Sequence, residues 1–225
     1  MSAPDRARFW DERILAWEAS RYEGRPSAAL GPGEWLASVL SEPTRLRQEL
    51  GVKLAAPFLA GRRVVEAGCG TGLLARRFMK AGAAGYLGID HSRVAIEAAR
   101  RRSGSATIRF EVGSAADLPA GGDMIVSLGM IDWLTDEELR RFFARHGEAD
   151  FLHTFNEYRA EPAQLVHRAL RSVDAALRPR AVRPRYMTLE SLIALFPERR
   201  RGSITVHRDP RLRYATFISS LPVRA

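Results

Sequence analysis

At 225 residues, 46% of them hydrophobic, the chain is long enough for one substantial domain with an appendage and too short for two of ordinary size. Its formal net charge is +9, from 35 Lys+Arg against 26 Asp+Glu; arginine dominance of this kind fits a genomic composition bias as well as an acidic substrate, an anionic membrane surface or RNA. No apolar run approaches the roughly 18 residues that cross a bilayer, the charged stretch after Met1 lacks the apolar core of a secretory signal, and the single cysteine, Cys69, excludes an intrachain disulfide, so a cytoplasmic setting is expected.

From Asp5 to about Ser20, Trp10, Ile14 and Trp17 recur at helical spacing, which predicts an amphipathic helix that packs on the main domain or closes over a ligand with Trp10 and Tyr22. Glu23 to Gly33 reads as a loop. A second helix is expected from Pro32–Glu34 through Leu40, and a third from Pro43 with Leu46, Leu50, Leu54 and Phe58 on one face. Residues 1–60 are therefore expected to be a helical extension, and 61–225 the main domain.

After Gly61 the rhythm changes to strands alternating with helices. Strands are expected at Val64–Val65, at Tyr86–Asp90, at Thr107–Val112, at Met124–Leu128 and at Phe151–Phe155. Ser92 and Thr188 are candidate helix caps, and Thr135 with Glu138 forms a capping box. A long helix is expected over Pro162–Leu177, followed by a basic connector with Arg178, Arg180, Arg183 and Arg185. Ser203–His207 and Leu212–Ser219, joined at Asp209-Pro210, read as a hairpin. The pattern predicts an α/β fold with a mainly parallel sheet and an antiparallel last strand.

The stretch from Val64 to Leu73, VVEAGCGTGL, organises this layout. Gly68, Gly70 and Gly72 allow a sharp turn and a close backbone approach to a ligand, and the helix that follows offers unpaired N–H groups. A dinucleotide fingerprint would need glycine at position 73, where the chain has Leu73, and no phosphate-loop lysine follows. Asp90 ends the next strand, where a carboxylate can accept from ribose hydroxyls.

This hydrophobic pair, acid and G-x-G-x-G run, with Asp90 following, resembles class I S-adenosylmethionine (SAM) methyltransferases over about Gly61 to Phe155. The resemblance implies a Rossmann-like sheet and SAM as cofactor. It places backbone contacts at Gly68, Cys69 and Gly70, Glu66 near the methionine amino group, Asp90 on the ribose, and further cofactor contacts at Leu128 and near the adenine. For the adenine, Ser114 with the Ala115 N–H matches the position where the family has an acid, with Asp117 three residues on. His91 either flanks the adenine or faces solvent. A fainter likeness, to ubiquinone-biosynthesis-type O-methyltransferases, rests on Thr154 and Asn156 before the final hairpin; Glu157 stands where that group has arginine.

Ser127-Leu128-Gly129-Met130 replaces the [DN]-P-P-[YFW] run of amino-methylating nucleic-acid enzymes, and Cys69 is committed to the loop, so neither nucleic-acid amino methylation nor cytosine C5 methylation is expected. A small-molecule acceptor, anionic or membrane-associated, methylated at oxygen, is the leading expectation. RNA methylation and a non-catalytic SAM-fold binding protein are the alternatives. A hydroxyl acceptor benefits from a base, and the candidates at strand ends are Asp132, His153 and Glu157, with His153 open to a packing role instead. Asp132, Asn156 and Glu157 are ligand types for Mg²⁺, but their spacing is not diagnostic and no metal is expected.

Overall fold

The computed structural model describes residues 3–22, 42–119, 121–159, 164 and 184–222. The expected loop over 23–33, the helix to Leu40, the long helix after Pro162 and the connector arginines before Pro184 lie outside the described residues.

Among the described residues seven strands form one sheet, β1 (Arg63–Ala67), β2 (Gly85–Asp90), β3 (Ile108–Val112), β4 (Met124–Leu128), β5 (Asp150–Asn156), β6 (Thr205–Arg208) and β7 (Ala215–Ser219), in the order β3-β2-β1-β4-β5-β7-β6. The first five pair in parallel, and β7 runs antiparallel between β5 and β6. The expected fold class is therefore the observed one. The hairpin is shorter than expected at its return: Asp209 caps a single 3₁₀ turn over Pro210–Leu212, and the strand begins only at Ala215.

The described helices are α1 (Ala3–Tyr22), α2 (Glu42–Ala55), α3 (Ala75–Lys80), α4 (Arg93–Ser103), α5 (Asp136–Ala144), α6 (Leu189–Ile193) and α7 (Glu198–Arg201). Ser92 caps α4, accepting from Ala95 N–H, and Thr135 with Glu138 closes a full capping box on α5. Both caps satisfy N–H groups that the helix itself leaves unpaired.

Alternate residues of each strand enter opposite layers, so the sheet is buried on both faces. Val64, Val126, Leu152 and Phe217 join Leu74, Phe78, Tyr86, Ile96 and Phe110 beneath α2, α3 and α4. Val65, Ile125, Phe151 and Ile218 join Leu139, Phe142, Phe143, Leu192 and Phe196 on the other side. Strand order reverses between β1 and β4, and there the loops leaving the two strands diverge to make the crevice of an open α/β sheet. They meet at a glycine: a Cβ on Gly68, whose φ is +73°, would stand 2.7 Å from the Met130 side chain.

Candidate active site

The glycine loop is built as a backbone device. Gly68, Gly70 and Gly72 all have positive φ. Gly72 also lies under the Phe110 ring, which a Cβ would approach to 2.7 Å, so the loop is seated on the core as well as turned by its glycines. Asp90, at the end of β2, accepts from Gly70 N–H and Ser92 N–H, each at 2.9 Å, and so ties the loop to the start of α4. His91 lies half-buried beside it, its pKa lowered by burial. Ser114 is exposed and caps the 3₁₀ turn over Ala115–Asp117 through Ala116 N–H, with Ala115 half-buried and Asp117 exposed. Leu128, at the end of β4, is half-buried against Gly51 of α2.

Glu66 and Cys69 are both buried beneath the loop. The strand alternation that buries Val64 sends Glu66 into the same layer, where it is 4% exposed and accepts from Tyr86 Oη–H at 2.5 Å. Burial pushes its pKa up to about 8, with the Glu18 and Asp90 charges adding to the effect. The Cys69 thiol is likewise buried, against Gly88, and its pKa is raised well above the usual thiol value by burial. Both side chains support the loop from beneath, so only the Cys69 backbone is presented on the loop itself.

Asp132 occupies the 3₁₀ turn that follows β4. Asn156, at the end of β5, donates to both of its carboxylate oxygens, from N–H to Oδ1 at 2.7 Å and from Nδ2 to Oδ2 at 2.8 Å. The group is 2% exposed. Burial raises its pKa to about 7, against the Asn156 hydrogen bond and the opposing fields of Arg47 and Arg185. The Arg47 guanidinium stands against Gly129, where a Cβ would come within 2.6 Å of it. Trp133 donates from Nε1 to Gly129 O at 3.1 Å, and Trp10 of α1 packs edge-on against the Trp133 ring at 5.1 Å.

The other two candidate bases, His153 and Glu157, are held in packed or ion-paired positions. His153 shares its strand face with Phe151 and Phe155 and is fully buried among Phe142, Phe143, His146 and Phe151. Its Nδ1 pairs with Ser127 Oγ at 2.9 Å, and burial drives its pKa well below the usual histidine value. Glu157 is held by Arg208 (2.6 and 2.8 Å), Arg159 (2.9 Å) and the Thr216 hydroxyl (2.7 Å), bonds that lower its pKa to about 2 and occupy its oxygens. Among the described residues no group of three or more His, Cys, Asp or Glu side chains is arranged to hold a metal, and no helix is long and apolar enough to cross a membrane.

Two residues at the site were not expected. Glu18 of α1 is buried over the glycine loop, accepting from Thr71 N–H at 3.0 Å and from the Thr71 hydroxyl. Its signal in the sequence is the run Ile14, Glu18, Tyr22, in which an acid takes a place on the stripe that the helix buries. Arg47 has a weaker signal, lying beside Leu46 and Leu50, which are themselves only partly buried.

Residues 64–149, which hold the glycine loop, Asp90 and Asp132, match the family model of a methyltransferase domain. The chain has the Rossmann-like fold of a class I methyltransferase. No curated protein matches the chain by sequence. Magnesium protoporphyrin IX methyltransferase from Synechocystis PCC 6803, solved with bound SAH, shares the fold with a TM-score of 0.67 at 14% identity, over 97% of this chain and 98% of that one. A geranyl diphosphate methyltransferase in complex with GPP and sinefungin gives 0.62 at 15% identity, over 96% and 97%. A putative methyltransferase of Haloferax volcanii, in complex with the Trm112 methyltransferase activator, gives 0.62 at 17% identity, over 97% and 96%. The similarity to all three takes in α1 and α2 as well as the matched methyltransferase domain.

Proposed function

We propose that this protein uses SAM to methylate a small molecule at a hydroxyl oxygen, with Asp132 as the base. The loop and Asp90 fit the cofactor. Three left-handed glycines leave room for a close approach to the backbone, and Asp90 lies within reach of Gly70, at the strand end where ribose hydroxyls are bound in open α/β sheets. When bound, SAM supplies an electrophilic methyl group on a sulfonium.

The observation that carries the assignment to oxygen is Asp132. A hydroxyl must lose its proton as the new bond forms, and a base with a pKa near the working pH is best placed to take it. Asp132, with its pKa at about 7, has that property beside the β1–β4 crevice. Asn156 fixes the carboxylate through both oxygens, so its orientation is set before an acceptor arrives. Arg47 and Arg185, whose fields reach Asp132, would favour an acceptor that carries an anionic group. The two relatives in fold whose acceptors are named act on small molecules, and geranyl diphosphate is itself an anion. α1 would serve as a lid over the crevice, with residues 1–60 as the helical extension to a domain over 61–225.

The test is methyl transfer from methyl-labelled SAM to a panel of hydroxyl, amine and thiol acceptors, with and without a carboxylate or phosphate group. Label transferred to hydroxyl acceptors, and lost in Asp132→Asn, is the expected result. Transfer to amines or to RNA that survives Asp132→Asn would overturn the assignment.

A further inference from the structure

We infer that Glu18 is a built-in occupant of the subsite for the cofactor's α-carboxylate, a latch on the glycine loop that SAM must displace. The inference rests on the reading of that loop as a SAM site. Glu18 belongs to α1 and Thr71 to the loop, 53 positions apart, yet the carboxylate meets Thr71 through both of its oxygens, Oε1 taking the N–H and Oε2 the hydroxyl. It lies so close to Gly70 that a Cβ there would overlap Oε1. An N–H and an O–H directed together at one carboxylate, on a turn with positive φ, make an anion receptor by their chemistry.

The groups around the latch oppose keeping it. Burial raises the Glu18 pKa, the like charge of Asp90 at the end of β2 adds to this, and Arg102 of α4 and the Thr71 hydrogen bonds act the other way. A ligand that brings an ammonium with its carboxylate suits this negative pocket better than a side chain that brings negative charge alone. Two carboxylates cannot share the two Thr71 donors, so arrival of one and departure of the other are coupled. Other contacts of α1 lie away from Thr71: Asp11 accepts from Ser92 Oγ–H (2.6 Å) and Val94 N–H (3.2 Å), Arg6 pairs with Glu138, and Trp10 packs on Trp133, while Ile14 reaches only the Gly70 side of the loop. The helix can keep them while the Glu18 side chain turns away.

Calorimetry on the full chain with three probes tests this: SAM, S-adenosylhomocysteine, and 5′-methylthioadenosine, which has the adenosine and sulfur but no amino-acid head. Glu18→Ala should tighten SAM and S-adenosylhomocysteine by about tenfold or more, the scale of a lost charge-assisted hydrogen bond in the competing state. It should leave methylthioadenosine within about twofold, because that probe does not compete for Thr71. Glu18→Gln keeps the shape and a weaker acceptor, and should shift both amino-acid-bearing probes in the same direction by less; it stands in if the alanine variant fails to fold. Unchanged or weaker SAM binding in both variants, or an equal gain for methylthioadenosine, would overturn the latch while leaving the SAM site intact. If wild type and both variants bind none of the three probes, the SAM reading itself falls, and the latch with it.

Discussion

The two sides of the crevice meet where Gly68 faces Met130, but they are made of different materials. The β1–β2 side is largely backbone: three left-handed glycines, N–H groups tied to Asp90, and the side chains of Glu66 and Cys69 turned down into the core. The β4–β5 side depends on side chains: one buried carboxyl, Asp132, set by Asn156 and flanked by arginines. A backbone site recognises a ligand common to many acceptor chemistries. Its partner can change residue by residue without disturbing the turn that binds that ligand.

The sharpest way to break this contrast is Asp132→Asn, which keeps the shape but removes the base. Methyl transfer to a hydroxyl acceptor should fall about 10²–10⁴-fold, with SAM affinity by calorimetry nearly unchanged; an equal loss in both would place Asp132 on the donor side. In wild type the same group sets the pH profile. The base works only when ionised, so the rate should climb from about pH 5 and level above about pH 8, around the pKa of about 7. A flat profile over that range would remove Asp132 from the reaction.

On the donor side, Asp90→Ala should weaken SAM by about 10- to 100-fold while the thermal midpoint moves by only a few degrees. A dissociation constant equal to that of wild type would exclude the ribose role.

A smaller effect belongs to Glu66. Its folded pKa, about 8, lies above its ordinary value of 4.5, so its contribution to stability is complete below about pH 4.5 and is lost as pH rises through about 8. Glu66→Gln retains an acceptor for Tyr86 and cannot ionise. Denaturant melts at pH 5 and pH 8.5 should show the variant losing less stability than wild type, by about 2 kcal/mol after discounting the full shift. Parallel losses would mean that the folded pKa of Glu66 is not raised and that the group is charged at both pH values.

The smallest change is expected from His153→Phe, which replaces one buried ring by another. Methyl transfer should stay within about twofold of wild type, and a collapse of activity without loss of fold would return His153 to the catalytic candidates.

The fold was legible because its signals are local. The capping box at Thr135 and Glu138, the serine cap on α4 and the strand runs all act within a few residues of themselves. The glycine loop was legible for the same reason, since a turn with three left-handed glycines is written in consecutive positions. Side-chain roles depended on distant partners. Glu157 looked like an exposed strand-end acid, but Arg208 and Thr216 reach it from more than 50 positions away. His153 had a local signal in Phe151 and Phe155, two residues to either side on the same face. In a sheet buried on both sides, however, neither face is marked as the one that meets a ligand. Glu18 was hidden by the expectation that a helix stripe is apolar.

The placement of β7 bears on how the molecule is assembled. Among the described residues β6 pairs in the sheet only with β7, a strand that follows it in the chain. During synthesis β6 therefore lacks this partner, and β5 lacks its antiparallel neighbour, until the residues up to Ser219 have emerged. An unpaired edge invites pairing between nascent chains. The hairpin can close on its own through the Asp209-Pro210 turn, so it can dock as a finished ribbon, leaving the last parallel strand exposed for one event instead of two.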